Sequence, residues 1–167
     1  MRAGLEQKMV EGFNPFLNGF SASLYDNTGY TYGAVHIDLM PFTTKSKFSK
    51  LDKHGYLSRD IFRDDWASEF IEELLHFLNP SIMIVFGKTN IKYFNDYVDN
   101  SIKFDESYND VKYCITNYGI NYSIPLIGLQ VNLGNPMVKG KGLSRDELIK
   151  LARTIENRLD LHARTTS

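Results

Sequence analysis

Residues 79–98 read NPSIMIVFGKTNIKYFNDYV, and this stretch decides the fold class. Asn79-Pro80 is a turn signal, because the residue before a proline is pushed out of the helical region. Ile82 to Phe86 is a continuous apolar run of strand length, so it reads as a strand buried on both faces. Gly87 punctuates the run, and from about Thr89 to Tyr97 the apolar residues Ile91 and Phe94 recur at helical spacing. A buried strand that feeds a helix through a glycine turn is the building unit of α/β proteins.

The neighbouring segments extend the pattern. Asp64 to Asn79 reads as a helix, with Trp66, Phe70, Ile71, Leu74, Leu75 and Leu78 on one stripe and Asp64 and Asp65 where a helix N-terminus favours negative charge. Upstream, Ala34-Val35-His36-Ile37-Asp38-Leu39 reads as a strand that runs into a loop at Met40-Pro41. Downstream, strands are expected at Val111 to Ile115 and Ile124 to Val131. Ser144-Arg145-Asp146-Glu147 then forms a capping box for a helix that ends near Leu161. Residues 2–12 read as a short helix stopped by Gly12, residues 13–32 as irregular and aromatic, and the Lys- and Ser-rich run from Thr43 to Arg59 as a mobile surface segment. Apolar strands alternating with helices imply a three-layer α/β sandwich: a mainly parallel four-stranded sheet flanked by helices. In such a sheet ligands bind beyond the carboxyl ends of the strands, so function is sought in the loops after Leu39, Phe86 and Val131.

Composition sets the outer bounds. With 167 residues, 43% hydrophobic and 23% charged, the chain has the profile of one globular domain over residues 1–167. A net charge of −1 supplies no bulk attraction to nucleic acid, so any such contact rests on a local patch. The single cysteine, Cys114, lies in the apolar run VKYCI; it reads as a buried thiol, excludes an intramolecular disulfide and suits a reducing, cytoplasmic compartment. No apolar stretch reaches the ~20 residues of a membrane span, and no membrane partner is expected. Ten tyrosines and eleven phenylalanines, many in residues 20–32 and 93–122, read as loop packing; the same segments could serve a protein partner.

The motifs sort by what their chemistry requires. Gly87-Lys88-Thr89 imitates the end of a nucleotide-binding P-loop, but the glycine needed five residues earlier is Ile82, so the reading is a tight turn with a surface lysine. The four histidines, His36, His54, His76 and His162, have no partners at ligand spacing, and neither a metal nor any other cofactor is expected. Asp38 stands near the end of a strand, where a carboxylate must be paired, hydrogen-bonded or functional; capping the Pro41 loop is the structural alternative. The loop VNLGNPMVKGKGLSRDEL, residues 131–148, places Lys139, Lys141 and Arg145 among three glycines just before a helix N-terminus, an arrangement able to cradle a phosphate. By composition alone it is a flexible connection with solvated lysines.

Three quoted stretches in this order, GAVHIDLMPFT (33–43), NPSIMIVFGKT (79–89) and IPLIGLQVNLGNPMVKGKGLSRDEL (124–148), resemble the uracil-DNA glycosylase superfamily over residues 30–160. The Asn135-Pro136 pair and the continuation Gly142-Leu143-Ser144-Arg145 are similar to the loop of its mismatch-specific uracil and thymine glycosylases. The resemblance implies a DNA partner and a base flipped into a pocket near Asp38 and Phe42. It further implies that Asn135 orients the leaving base or the attacking water, that Pro136 opens the minor-groove loop, and that Met137 or Val138 fills the vacated stack. Gly134, Lys139, Lys141, Ser144 and Arg145 would hold the DNA backbone. Asp38 replaces the family's base-reading asparagine, and the sequence contains no Gly-x-Asp-Pro water-activating motif. The expectation is therefore a uracil-DNA-glycosylase-like DNA-binding protein that is catalytically impaired, or a fragment of a base-excising enzyme that hydrolyses the N-glycosidic bond. The alternative is a non-catalytic protein-interaction module that keeps the fold.

Overall fold

The computed structural model describes residues 12–24, 29–37, 66–119, 123–131, 137–138 and 141–165. Four helices and a mixed four-stranded sheet account for most of them.

The first helix, α1, covers residues 12–19, where the sequence reading expects a stop at Gly12 and irregular chain beyond it. Phe13, Phe16 and Phe20 recur three and four residues apart, and all three are buried, so burial of this aromatic stripe outweighs the local loop signals. Two short strands follow, β1 (Ala22–Ser23) and β2 (Tyr32–Gly33), paired in parallel. The strand expected from Ala34 does not form over the described residues 34–37. The Ala34 amide bonds the Ser23 carbonyl just beyond β2, and residues 34–37 then run as irregular chain with Val35 68% exposed.

Helix α2 spans Trp66–Leu78, within the expected bounds. Ile71 and Leu75 are its buried contacts, and Asn79, at φ 44°, ends it ahead of Pro80. Strand β3 (Met83–Phe86) leads through Gly87 into helix α3 (Lys88–Tyr97). Gly87 sits at φ 87°, a conformation that side chains resist, which is why glycine occupies this turn. After α3, Asn95 bonds both the amide and the carbonyl of Ile102 through its side chain and so fixes the path of the chain toward the far edge of the sheet.

That far edge is β4 (Glu106–Tyr108), a strand the sequence reading lacks; β5 (Val111–Tyr118) and β6 (Ile124–Leu129) follow. The sheet order is β3-β6-β5-β4, with β3 and β6 parallel and both other pairs antiparallel. The expected mainly parallel sheet is thus a mixed one. Chain length explains this: a parallel crossover needs about a dozen residues or more. Residues Asn109 and Asp110 alone connect β4 to β5, both at positive φ as a tight type I′ hairpin demands, and residues 119–123 connect β5 to β6.

The pleat sends alternate side chains to opposite faces, and helices cover both. On one face Ile84, Phe86, Val111, Tyr113, Ile127 and Leu129 pack with α1 and with the last helix, α4 (Arg145–Thr165). On the other, Met83, Val85, Cys114, Leu126 and Ile124 pack with α2 and α3. Leu126, Ile127 and Leu129 have no exposed surface, and each such side chain stabilises the fold by roughly 1.5–3 kcal/mol. Gly128, between them, is required by space: a Cβ there would stand 2.4 Å from Ile102 Cγ2 and 3.0 Å from Cys114 Sγ. Cys114 is buried as expected, and burial raises its thiol pKa, which keeps it protonated and inert.

Candidate nucleic-acid interface

Because β3 and β6 run parallel with Phe86 opposite Leu129, their following loops leave the sheet at the same end. The Gly87 amide donates to the Leu129 carbonyl at 2.9 Å and ties the two exits together. His36 reaches this end as well, its ring 5.1 Å from that of Phe13 and 6.3 Å from that of Phe86. Two of the three strand ends after which the sequence reading seeks function, those of β3 and β6, thus lie side by side. The third, after Leu39, lies outside the described residues.

Beyond β6, the Gln130 amide is held by the Lys112 carbonyl and Val131 is buried. Met137–Val138 (β7) then pairs antiparallel with Lys141–Gly142 (β8), Met137 opposite Gly142 and Val138 opposite Lys141. What composition reads as a flexible connection thus contains two paired strands. Leu143, fully buried, anchors the hairpin's exit in the core, and α4 begins at Arg145.

The helix start is a complete capping box. The Ser144 amide and hydroxyl each donate to Glu147 Oε2 at 2.7 Å, and the Glu147 amide returns a 3.4 Å bond to Ser144 Oγ. Bonds from the Ser144 amide, first, and then from the Ser144 hydroxyl and Asn109 hold the Glu147 carboxyl below the usual glutamate range. The chain thereby supplies its own anion to the N-terminus of α4. Ser144 uses both its donors on Glu147, and Asp146 adds a second acid to the first turn, while the side chain of Arg145 beside them is exposed.

The candidate residues divide accordingly. Met137 and Lys141 lie in the hairpin backbone and Arg145 opens α4. Asp38, Phe42, Gly134, Asn135, Pro136 and Lys139 lie outside the described residues. Among the described residues no group of His, Cys, Asp and Glu could hold a metal ion, and no helix is long and apolar enough to cross a membrane.

No family model, curated protein or solved structure matches the chain. Functional assignment thus rests on the chain's own residues.

One polar cluster is absent from the sequence reading. Glu106 of β4 accepts a hydrogen bond from the Tyr113 hydroxyl at 2.7 Å and an ion pair from Arg158 of α4, whose guanidinium also donates to Tyr113 Oη at 3.3 Å. It clamps the edge of the sheet to the last helix. Arg158 lies 45 residues from Tyr113, and no local spacing rule connects them.

Proposed function

We propose that the chain is a uracil-DNA-glycosylase-like DNA-binding protein that grips the sugar-phosphate backbone with its β7–β8 hairpin and is impaired in base excision. The observation that carries this reading is the β7–β8 pairing, which holds the backbone of Lys141 in a two-stranded ladder four residues before Arg145 opens α4. This reading assigns successive phosphates to Lys139, Lys141 and Arg145, which lie within seven residues of one another in sequence, and tethering the chain in the ladder lowers the ordering cost of the contact. The antiparallel β4–β5–β6 portion departs from the parallel sheet that the resemblance implies, so the reading draws its support from the hairpin and the motif order.

Impairment follows from chemistry. A base-reading asparagine donates an amide hydrogen to the uracil O4, whereas an ionised carboxylate at Asp38 has only acceptors to offer and repels that oxygen. Asn135 remains able to orient a leaving base or a water, without a motif to activate the water.

The test pairs fluorescence anisotropy on a labelled duplex with a base-release assay on uracil- and mismatch-containing DNA. Expected are salt-sensitive binding and negligible release. Release at the rate of an active glycosylase would refute impairment, and absence of binding at low salt would refute the whole reading.

A protein-interaction module is favoured by a different observation. Tyr30 and Tyr32 in the aromatic segment 20–32 are exposed. In that reading DNA affinity is absent and replacing the hairpin cations changes nothing.

A further inference from the structure

The exposed residues of α2 set it apart from the rest of the surface. Glu69, Phe70, Glu72, Glu73, His76 and Phe77 all face solvent, and Phe77 is 84% exposed. Phe70 and Phe77 are seven residues apart, two helical turns, so they lie on one stripe, with Glu73 between them. The helix sequence, WASEFIEELLHFL, contains no lysine or arginine. Glu69 and Glu73, one turn apart with no cation on the helix between them, repel each other. Two phenylalanines that would gain from desolvation therefore sit beside carboxylates that would gain from a cation.

We infer that this face of α2 docks a basic amphipathic peptide segment of a protein partner. Apolar anchors of the segment cover Phe70 and Phe77, while its lysines or arginines meet Glu69, Glu72 and Glu73. Charge complementarity selects this occupant. Nucleic acid and anionic membrane surfaces are repelled by the three carboxylates, and a second copy of the same face would set acid against acid. The site is separate from the β7–β8 hairpin, because α2 covers the sheet face opposite to that of α4. The inference stands whether or not the hairpin binds DNA.

A displayed library of random peptides about 16 residues long, enough for four helical turns, tests it. Selection is made against the full chain, and enriched sequences are measured as synthetic peptides against wild type, Phe77→Ala and the triple variant Glu69→Lys/Glu72→Lys/Glu73→Lys. Expected are enriched sequences that alternate cations with apolar residues at helical spacing, weakened by salt and by about tenfold or more on Phe77→Ala. Reversal of the three charges is expected to abolish binding. Phe77 makes so little contact that its replacement leaves the core intact, and circular dichroism verifies the fold of each variant. Enrichment of acidic or uncharged sequences, equal binding to all three proteins, or no enrichment overturns the inference. So does sedimentation showing a homodimer that Phe77→Ala dissolves, or peptide binding that emerges only once the lysines of residues 43–59 are replaced by glutamate, since each assigns the face another occupant.

Discussion

Asn109 at the tip of the β4–β5 hairpin donates its side-chain amide to Glu147 Oε1 at 2.8 Å, so the sheet's tightest turn is bonded to the first turn of α4. Glu147 therefore serves two elements at once: one carboxylate oxygen closes the capping box and the other holds the hairpin. The orientation of α4 leaving the β7–β8 hairpin depends on this pair.

Ser144→Ala removes the cap hydroxyl from both of its bonds with Glu147. The expected cost is about 1 kcal/mol, read as a lower midpoint in urea with an unchanged slope. Ser144→Asp, which keeps a capping oxygen but faces Glu147 with a like charge, should recover only part of it.

The Glu147 carboxyl titrates below its ordinary value of 4.5 in the folded chain. A depressed folded pKa contributes stability that is present above the unfolded value and is lost as pH falls through the folded one. Thermal melts of wild type and Glu147→Gln should differ most above pH 4.5 and converge as the solution is acidified below it. A difference that stays constant across this window would show that the charge on Glu147 has no part in the cap.

Gly128→Ala places a methyl against Ile102 Cγ2 and Cys114 Sγ. Overpacking of this kind costs about 1–3 kcal/mol. Ile102→Ala also destabilises the chain by opening a cavity, yet the double variant should be more stable than the sum of the two single effects, because one change fills the space the other empties. Additive costs in chemical denaturation would contradict the packing described.

Arg158→Met keeps much of the side chain's bulk while removing the charge that meets Glu106. Glu106 keeps its bond from Tyr113 but loses its counterion, so the edge strand β4 should loosen first. Amide hydrogen exchange should accelerate at Glu106–Tyr108 and stay slow in β6. Burial, with a smaller contribution from Asp105, raises the Tyr113 pKa, so stability should fall as pH climbs past 10, and Tyr113→Phe should remove that fall.

Replacing Lys139, Lys141 and Arg145 together with alanine tests the grip proposed for the hairpin. The slope of log affinity against log salt should flatten by about 0.9 for each cation that contacts a phosphate of duplex DNA. Loss of affinity with an unchanged slope would place the effect elsewhere than on the backbone.

Periodicity and punctuation made much of this architecture legible in advance. The run Met83–Phe86, the glycine at position 87 and the helix after it form where the sequence places them, and so does the Ser144–Glu147 box. These features are local: a few neighbouring residues carry the whole instruction. Some of what was missed was local too. Phe13, Phe16 and Phe20 carry helical spacing, and Asn109-Asp110 is a hairpin signal that would have supplied β4 and reversed the sheet's direction.

By itself, then, the amino-acid sequence determined the α/β class, the strand–turn–helix unit at its centre and the capped last helix, because propensity and hydrophobic period act over a few residues. Only the tertiary structure decided which strands lie side by side, that residues 34–37 form no strand, that Glu106, Tyr113 and Arg158 meet, and that Phe77 faces water while Phe94 does not. Pairing and burial depend on which distant surface arrives to cover a residue, and no window along the chain holds that information.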